Sequence, residues 1–303
     1  ARAAAQLLRV TDLTHEALVD DIPTTKRDMY YKDVPLFKSQ TVVNRLVDDM
    51  AATFEIGRAD MNVRAASKGL FAGENLVIHL QDGAEIRGND SEGMLIPAAE
   101  EISHFEVKDH ITWVLIVEKE AIFQTLCRYK FASHASLPGE GVIITGKGYP
   151  DVATRQLVKT LSDNLPTHVP MLALVDGDAY GLDILSVYKF GSASMRHENE
   201  KLAASRLEWL GIWSSELLEL GVDRDALIPI TTHDEKKALA ILRRPEEILP
   251  KRWRREMLHM LHLRRKAEIE VLSTSATKTT MPALVAYLCR KISEAVLVLA
   301  DLS

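Results

Sequence analysis

From Ser39 to Phe54 apolar side chains recur at Val42, Val43, Leu46, Val47, Met50 and Ala51. That spacing gathers them on one face of an amphipathic helix, with Ser39 as its cap and Gly57 ending it. Residues 5 to 20 carry leucines and valines in a second helical pattern. Between the two, Thr25 followed three residues on by Asp28 reads as a capping box, and Pro35 limits the helix it opens. A shorter helix is expected over 59–64. Ser67–Phe71 and Leu76–Leu80 then read as strands, with Asp82-Gly83 as a hairpin turn and Ala84–Arg87 as the return strand. Helices followed by a hairpin are the order of a winged helix, a variant of the helix-turn-helix DNA-binding group.

Residues 90–97 form a connector, and the sequence divides there into a first domain over 1–95 and a second over 96–303. Past residue 100 strands and helices alternate, so the predicted class is mixed α/β. Trp113–Val117, Val142–Thr145 and Met171–Val175 are short apolar runs bounded by turn residues, as in buried strands of a parallel sheet. Helices are expected over 121–129, 152–165 and 182–189, and another strand over 190–195. Leu207–Gly211 is a further apolar segment. A basic amphipathic helix is predicted over 251–266, a polar linker over 273–280 and a last helix over 283–302.

Composition narrows the class. The 303 residues are 47% hydrophobic and 26% charged, as in a globular protein, with a net charge of −6. The whole molecule therefore has no basic nucleic-acid signature, and any DNA contact must come from local patches. The two cysteines, Cys127 and Cys289, are far apart and in no metal-like spacing, which suits a reducing compartment. No apolar run is long enough to cross a bilayer, so no membrane partner is expected. The chain starts on Ala1 and not on Met, so a natural N-terminal segment is expected upstream.

The chemistry collects at strand ends. Asp176 and Asp178 follow one apolar run at i, i+2 spacing, and Glu118 follows another. Parallel strands deliver their carboxyl ends to one edge, where ligands gather. Three acids brought together there repel, and a hard cation such as Mg²⁺ relieves the repulsion. The same acids can also cap the helices that follow. Arg27 and Tyr31 lie four apart and share a helix face. A free phenol is a poor nucleophile at neutral pH, and a neighbouring arginine favours its phenolate and can hold a phosphate. Two adjacent tyrosines, Tyr30 and Tyr31, can equally be packing residues. Lys68, Arg58 and Arg64 are candidate phosphate contacts. Gly146-Lys147-Gly148-Tyr149 opens a helix as a phosphate-admitting turn would, without the ATP P-loop pattern.

Four stretches, in order, resemble one family. They are Lys26-Arg-Asp-Met-Tyr-Tyr31, Ser67-Lys-Gly-Leu70, Val117-Glu118-Lys-Glu, and Thr145-Gly-Lys-Gly with Val175-Asp-Gly-Asp178. The chain is similar, from about residue 20 to about residue 270, to the meiotic DNA double-strand-break transesterases, eukaryotic relatives of the A subunit of topoisomerase VI. The resemblance implies a winged-helix domain bearing a nucleophilic tyrosine, then a Toprim domain, a small parallel α/β unit whose Glu and Asp-x-Asp hold Mg²⁺. Position by position, Tyr31 is then the nucleophile and Arg27 its catalytic neighbour. Glu118, Asp176 and Asp178 are the metal ligands, and Mn²⁺ is a possible substitute for Mg²⁺. Lys68, Lys147 and Tyr149 fall where the family touches DNA. The resemblance further implies double-stranded DNA as substrate, a second copy of the chain completing each active site, and a nuclear location on meiotic chromosomes. Expected partners are meiotic accessory proteins, a topoisomerase VI B-like subunit, and a WD-repeat protein, the last at Arg254-Arg-Glu-Met257. Three other readings stay open: a resealing topoisomerase subunit, another Toprim nuclease or primase, and a non-cleaving module that recruits partners to chromosomes.

Overall fold

The computed structural model describes residues 2–64, 67–108, 110–192, 199–274 and 282–301. It begins with α1 (Arg2–Val19), β1 (Thr24–Thr25), α2 (Lys26–Lys32), α3 (Val34–Phe37), α4 (Gln40–Phe54) and β2 (Val63–Arg64). Val10, Leu13, Met29, Phe37, Val43, Val47, Met50 and Ala51 close these helices into a core of their own. The parallel pair β1–β2, in register Thr24↔Val63, ties the entry of α2 to the end of the unit. Ser39 caps α4 as expected, its hydroxyl accepting from the Thr41 N–H. The helix stops at Glu55, which takes the left-handed conformation (φ 55°), two residues ahead of the expected Gly57. Residues 59–61 form a single 3₁₀ turn and 63–64 a strand, where one short helix was expected.

The chain continues through β3 (Leu70–Ala72), β4 (Leu76–Leu80), β5 (Glu85–Arg87), β6 (Met94–Leu95), β7 (Ile102–Val107), β8 (Trp113–Val117), α5 (Glu120–Arg128), β9 (Gly141–Thr145), α6 (Val152–Asn164), β10 (Met171–Leu174), α7 (Ala179–Phe190), α8 (Asn199–Leu202) and β11 (Leu207–Gly211). It closes with β12 (Ile228–Pro229), α9 (Thr232–Leu242), α10 (Lys251–Leu263), β13 (Arg265–Lys266), α11 (Val271–Thr274) and α12 (Ala283–Ala300). The main sheet has the order β11-β10-β8-β9-β3-β6, in which β11, β10, β8 and β9 run parallel, β3 pairs antiparallel with β9, and β6 pairs antiparallel with β3. The fold is the mixed α/β class expected, with a parallel sheet at its centre.

Alternation along each parallel strand divides two cores. Val114, Ile116, Val142, Ile144, Met171 and Ala173 face a cluster completed by α6, α7, α9 and α10. Trp113, Leu115, Val117, Ile143, Leu172 and Leu174 face the cluster of α5 and α12. A strand covered on both faces needs apolar side chains at every position, which is why these runs lack a polar beat.

Pairing runs across the boundary expected at residue 95. The β4–β5 hairpin, expected as the wing beside the helices, pairs through β4 with β7 and lays Leu76 and Ile78 on the core of the parallel sheet. The Gly-bearing connector contributes β6 to the main sheet. Half of the strand expected over 190–195 (193–195), and most of the linker over 273–280, lie outside the described residues; of the rest of that strand, Phe190 closes α7 and Gly191 caps it. The predicted basic helix ends at Leu263, because Arg264 turns left-handed (φ 57°) and releases the chain into β13. Among the described residues no helix is long and apolar enough to cross a membrane.

Candidate active site

The local sequence aims Tyr31 outward. Thr25 and Asp28 form the expected capping box, fixing where α2 begins. Met29 is fully buried, so the residue two positions on points away from the core. Tyr31 is 60% exposed. The helix is pinned from both sides: Lys26 pairs with Asp48 of α4 at 2.5 Å, and Lys32 with Glu16 of α1 at 3.3 Å. Arg27 Nη2 donates to the Tyr31 hydroxyl at 3.5 Å, and its guanidinium lies 5.7 Å from the ring centre. That hydroxyl keeps the exposed Arg27 above its ordinary pKa. Tyr30 is half-buried, its ring 5.4 Å from that of Tyr31.

The acids meet at the carboxyl edge of the parallel sheet. The register Leu174↔Val117 brings the residues after β10 beside those after β8. Each carboxylate gives one oxygen to a backbone amide. Glu118 Oε2 accepts from Asp176 N at 2.9 Å, and Asp176 Oδ1 from Ile269 N at 2.9 Å. Asp178 Oδ1 accepts from Tyr180 N and Gly181 N at 2.8 and 2.9 Å, capping α7. Capping and site formation thus coincide at Asp178, whereas Glu118 and Asp176 cap nothing. A Cβ on Gly181 would sit 2.4 Å from the Asp176 carbonyl oxygen, so glycine is what lets α7 start against the strand end. Burial, and the charge of Asp176, push Glu118 up to about 8. Burial raises Asp176 to about 6, with Lys119 pulling the other way.

The remaining candidates reach the same edge. Gly148 N donates to the Glu118 carbonyl at 2.9 Å, and the Lys68 ammonium donates to the Lys147 carbonyl at 3.3 Å. Lys147 pairs with Glu120 at 2.9 Å. Tyr149 is exposed, but its hydroxyl donates to Asp183 at 2.6 Å, and burial of the phenol with that hydrogen bond raises its pKa. Asp183 also holds Lys237 and Arg244, so the phenol is locked into an ion network rather than left free. Tyr31 and Arg27 bond to one another, while the partners of the acids (Lys119, Lys266, Ile269, Tyr180 and Gly181) all belong to the sheet unit.

One residue builds this edge from beneath. Asp151 caps α6 by accepting from Thr154 N at 2.7 Å, and also accepts from Lys68 N and Gly69 N at 2.7 and 3.2 Å. Asp151→Ala removes a cap and orphans two amides. We expect it to lower stability by about 1–3 kcal/mol, read as a fall in thermal midpoint. The same change frees the Lys68 loop.

Sequence reasoning missed the segment that wraps the acids. Lys266-Ala-Glu-Ile-Glu270 leaves β13 along the edge, bridging Gly177 at Ala267 and turning at Ile269, with Ala267 and Ile269 buried, Lys266 facing Asp178, and Glu268 and Glu270 partly exposed. Its alternation was the available signal, just past Lys266, where the predicted basic helix ends. Lys119 pairs with Asp176 at 3.0 Å, and Lys266 with Asp178 at 3.5 Å. The Arg254-Arg-Glu-Met257 run mostly faces inward. Glu256 accepts from Ser215, Met257 is buried, and Arg254 donates to the Leu242 and Arg244 carbonyls, leaving Arg255 exposed.

Among the described residues no three His, Cys, Asp or Glu side chains are gathered closely enough to hold a metal ion as they stand. Both aspartates instead turn an oxygen to a lysine. The donor set nevertheless fits a hard divalent cation. It is all carboxylate oxygen, anchored by amides, with Glu118 and Asp176 raised first by burial and further by the neighbouring carboxylates.

Residues 113–292 match the Toprim domain of the family that unites Spo11 with the A subunit of topoisomerase 6, and residues 2–63 match "Type IIB DNA topoisomerase". The chain is 37% identical over 270 residues to the meiotic recombination protein SPO11 of Mus musculus, covering 89% of this chain and 66% of the relative. It is 34% identical over 272 residues to the meiotic recombination protein rec12 of Schizosaccharomyces pombe, covering 88% of this chain and 73% of the relative. It is 33% identical over 269 residues to the A subunit of DNA topoisomerase 6 from Arabidopsis thaliana, covering 88% of this chain and 61% of the relative. The chain thus spans just under two thirds of the length of the mouse relative. With the two matches lying on the tyrosine-bearing helices and on the acid-bearing sheet, the chain belongs to the family of Spo11 and the topoisomerase 6 A subunits.

Proposed function

We propose that the chain cuts double-stranded DNA by transesterification and so makes the breaks that start meiotic recombination. The observation that supports it best is the meeting of Glu118, Asp176 and Asp178 at one sheet edge, with the Glu118 carboxylate hydrogen-bonded to the Asp176 amide. The Tyr31 oxygen attacks a DNA phosphorus. An oxygen–phosphorus bond forms, the bond to the 3′ oxygen breaks, the tyrosine proton is lost and the 3′ oxygen leaves as a hydroxyl. The protein ends joined to the 5′ phosphate. One phosphodiester is exchanged for another, so the exchange itself consumes no ATP.

Arg27, within reach of the Tyr31 hydroxyl, favours the phenolate and balances charge on the phosphorane-like transition state. Lys68 and Lys147 line the approach of the DNA backbone, with Tyr149 beside them. Glu118, Asp176 and Asp178 would hold Mg²⁺, or Mn²⁺ in its place. When bound, such a cation supplies Lewis-acid polarisation of the phosphate and stabilises the departing oxygen.

Tyr31 and the acids make their contacts in different parts of the chain, which favours a site completed between two copies: the tyrosine of one and the acids of the other. Two strands need two tyrosines. We place the division between the tyrosine-bearing unit and the sheet unit near residues 64–70, where the pairing of β1 with β2 ends and that of β3 with β9 begins. Double-stranded DNA, a second copy, meiotic accessory proteins and a topoisomerase VI B-like subunit are the partners this reading entails, in the nucleus.

The test is label transfer. The chain is incubated with labelled duplex and Mg²⁺ or Mn²⁺, then denatured. Label moving with protein supports the reading. Cut DNA with no protein attached overturns it in favour of an ordinary nuclease. Similarity to a plant topoisomerase subunit carries a second reading, in which the same exchange run backwards reseals the break beside a separate ATPase subunit. Relaxation of supercoiled plasmid with such a partner present is its measurement.

A further inference from the structure

The lysine that follows Glu118 has more carboxylates than it needs. Lys119 Nζ lies 3.0 Å from Asp176 Oδ2, 2.7 Å from Glu270 Oε2 and 3.4 Å from Glu268 Oε2. Asp176 is buried, whereas the side chains of Glu268 and Glu270 are 41% and 45% exposed. The segment carrying those glutamates is fixed to the site by its backbone: Gly177 N donates to the Ala267 carbonyl at 2.8 Å, and Ile269 N to Asp176 itself. A similar pattern recurs at the second aspartate. Lys266 stands 3.5 Å from Asp178 Oδ2 and 3.0 Å from Asp234, an acid outside the three. Each aspartate therefore faces an ammonium that also holds an acid elsewhere.

We propose that Lys119 is a tethered cation that competes with a divalent metal ion for Asp176, and that Glu268 and Glu270 are the seats onto which it withdraws. The inference rests on the reading of Glu118, Asp176 and Asp178 as metal ligands. Asp176 is buried, and among the described residues Lys119 is the cation in contact with it. A dication arriving at Asp176 Oδ2 would meet an ammonium at contact distance. With no other seat, that ammonium would be left unpaired beside two positive charges. The glutamates remove this obstacle, because their oxygens already touch Nζ and the flexible lysine stem need only turn. Lys119 is thus a positioning residue: it keeps the acids together without metal and sets how strongly metal must bind to displace it.

The experiment measures Mn²⁺ affinity by the electron paramagnetic resonance of the free ion, without DNA. The proteins are the unaltered chain, Asp176→Asn, Lys119→Gln, the pair Glu268→Gln with Glu270→Gln, and all three changes together. Circular dichroism confirms that each is folded. Lys119→Gln is expected to tighten binding by about tenfold or more, since a like charge at contact is removed. The glutamate pair is expected to weaken binding several-fold in the original chain and by less than about twofold when residue 119 is already Gln. Weaker binding in Lys119→Gln, or equal effects of the glutamate pair in both backgrounds, overturns the proposal. The glutamate pair alone keeps the test decisive should Lys119→Gln fold poorly, because strengthening or no change there also contradicts it. Mn²⁺ binding that is untouched by Asp176→Asn would instead show that the metal reading has failed.

Discussion

Tyr31→Phe is expected to remove the covalent protein–DNA product altogether while leaving the fold intact, and Tyr30→Phe to leave the product in place. The change deletes one hydroxyl whose hydrogen bond to Arg27 spans 3.5 Å, on a ring that is mostly exposed. Exposed substitutions of this kind shift stability by no more than about 0.5 kcal/mol. The effect on chemistry is of another order. No second oxygen is placed to replace the nucleophile, since Tyr30 is half-buried on the inner side of the helix. Loss of a nucleophile costs about 10⁴-fold or more, which takes the adduct below detection on a denaturing gel. Product surviving Tyr31→Phe but lost with Tyr30→Phe would assign the wrong tyrosine.

Glu118→Gln is expected to abolish adduct formation and, in metal-free buffer, to raise stability. Glu118 is held above its ordinary 4.5, at about 8, first by burial and then by the charge of Asp176. The folded state therefore keeps a proton that the unfolded state gives up. Between about 4.5 and 8 the folded state binds more protons, so stability falls as pH rises through that window. Below it the group is neutral in both states and no loss is felt. Gln keeps an oxygen to accept the Asp176 amide and never ionises. The variant should thus melt higher than the original chain at pH 8, by several degrees for about 1–2 kcal/mol. The gap should close towards pH 4.5. Thermal melts across that range, with a chelator present, check it. A gap that widens on acidification contradicts the assigned burial of charge.

Local signals carried much of this picture. Trp113–Val117 and Met171–Leu174 were readable as strands because apolar runs of that length, broken by turn residues, cannot be solvated surface. Once they are parallel neighbours, Glu118 and Asp176 must share an edge, and the helix cap at Thr25 likewise follows from three residues. What was illegible depended on partners far away. The β4–β5 hairpin was recognisable, but nothing local said that β4 would pair with β7 rather than stand beside α4. The two-residue strand β6 is too short for any periodicity to show. Arg264–Lys266 was absorbed into the predicted helix because the basic run continues past Leu263, and only a non-glycine residue in the left-handed region, Arg264, breaks it. Glu55 ended α4 in the same way. Left-handed turns at Arg and Glu leave no mark comparable to glycine.

The most direct test of the account mixes two inactive chains. Tyr31→Phe supplies intact acids, Glu118→Gln supplies an intact tyrosine, and each alone should give no adduct. A mixed pair that builds its sites between copies has one site with both tyrosine and acids, and one with neither. Adduct and single-strand nicks are expected in the mixture, with label found only on the Glu118→Gln chain. No adduct in the mixture, under conditions where the unaltered chain forms it, would show that Tyr31 and the acids work within one copy. Label on the Tyr31→Phe chain would show that Tyr31 is not the nucleophile.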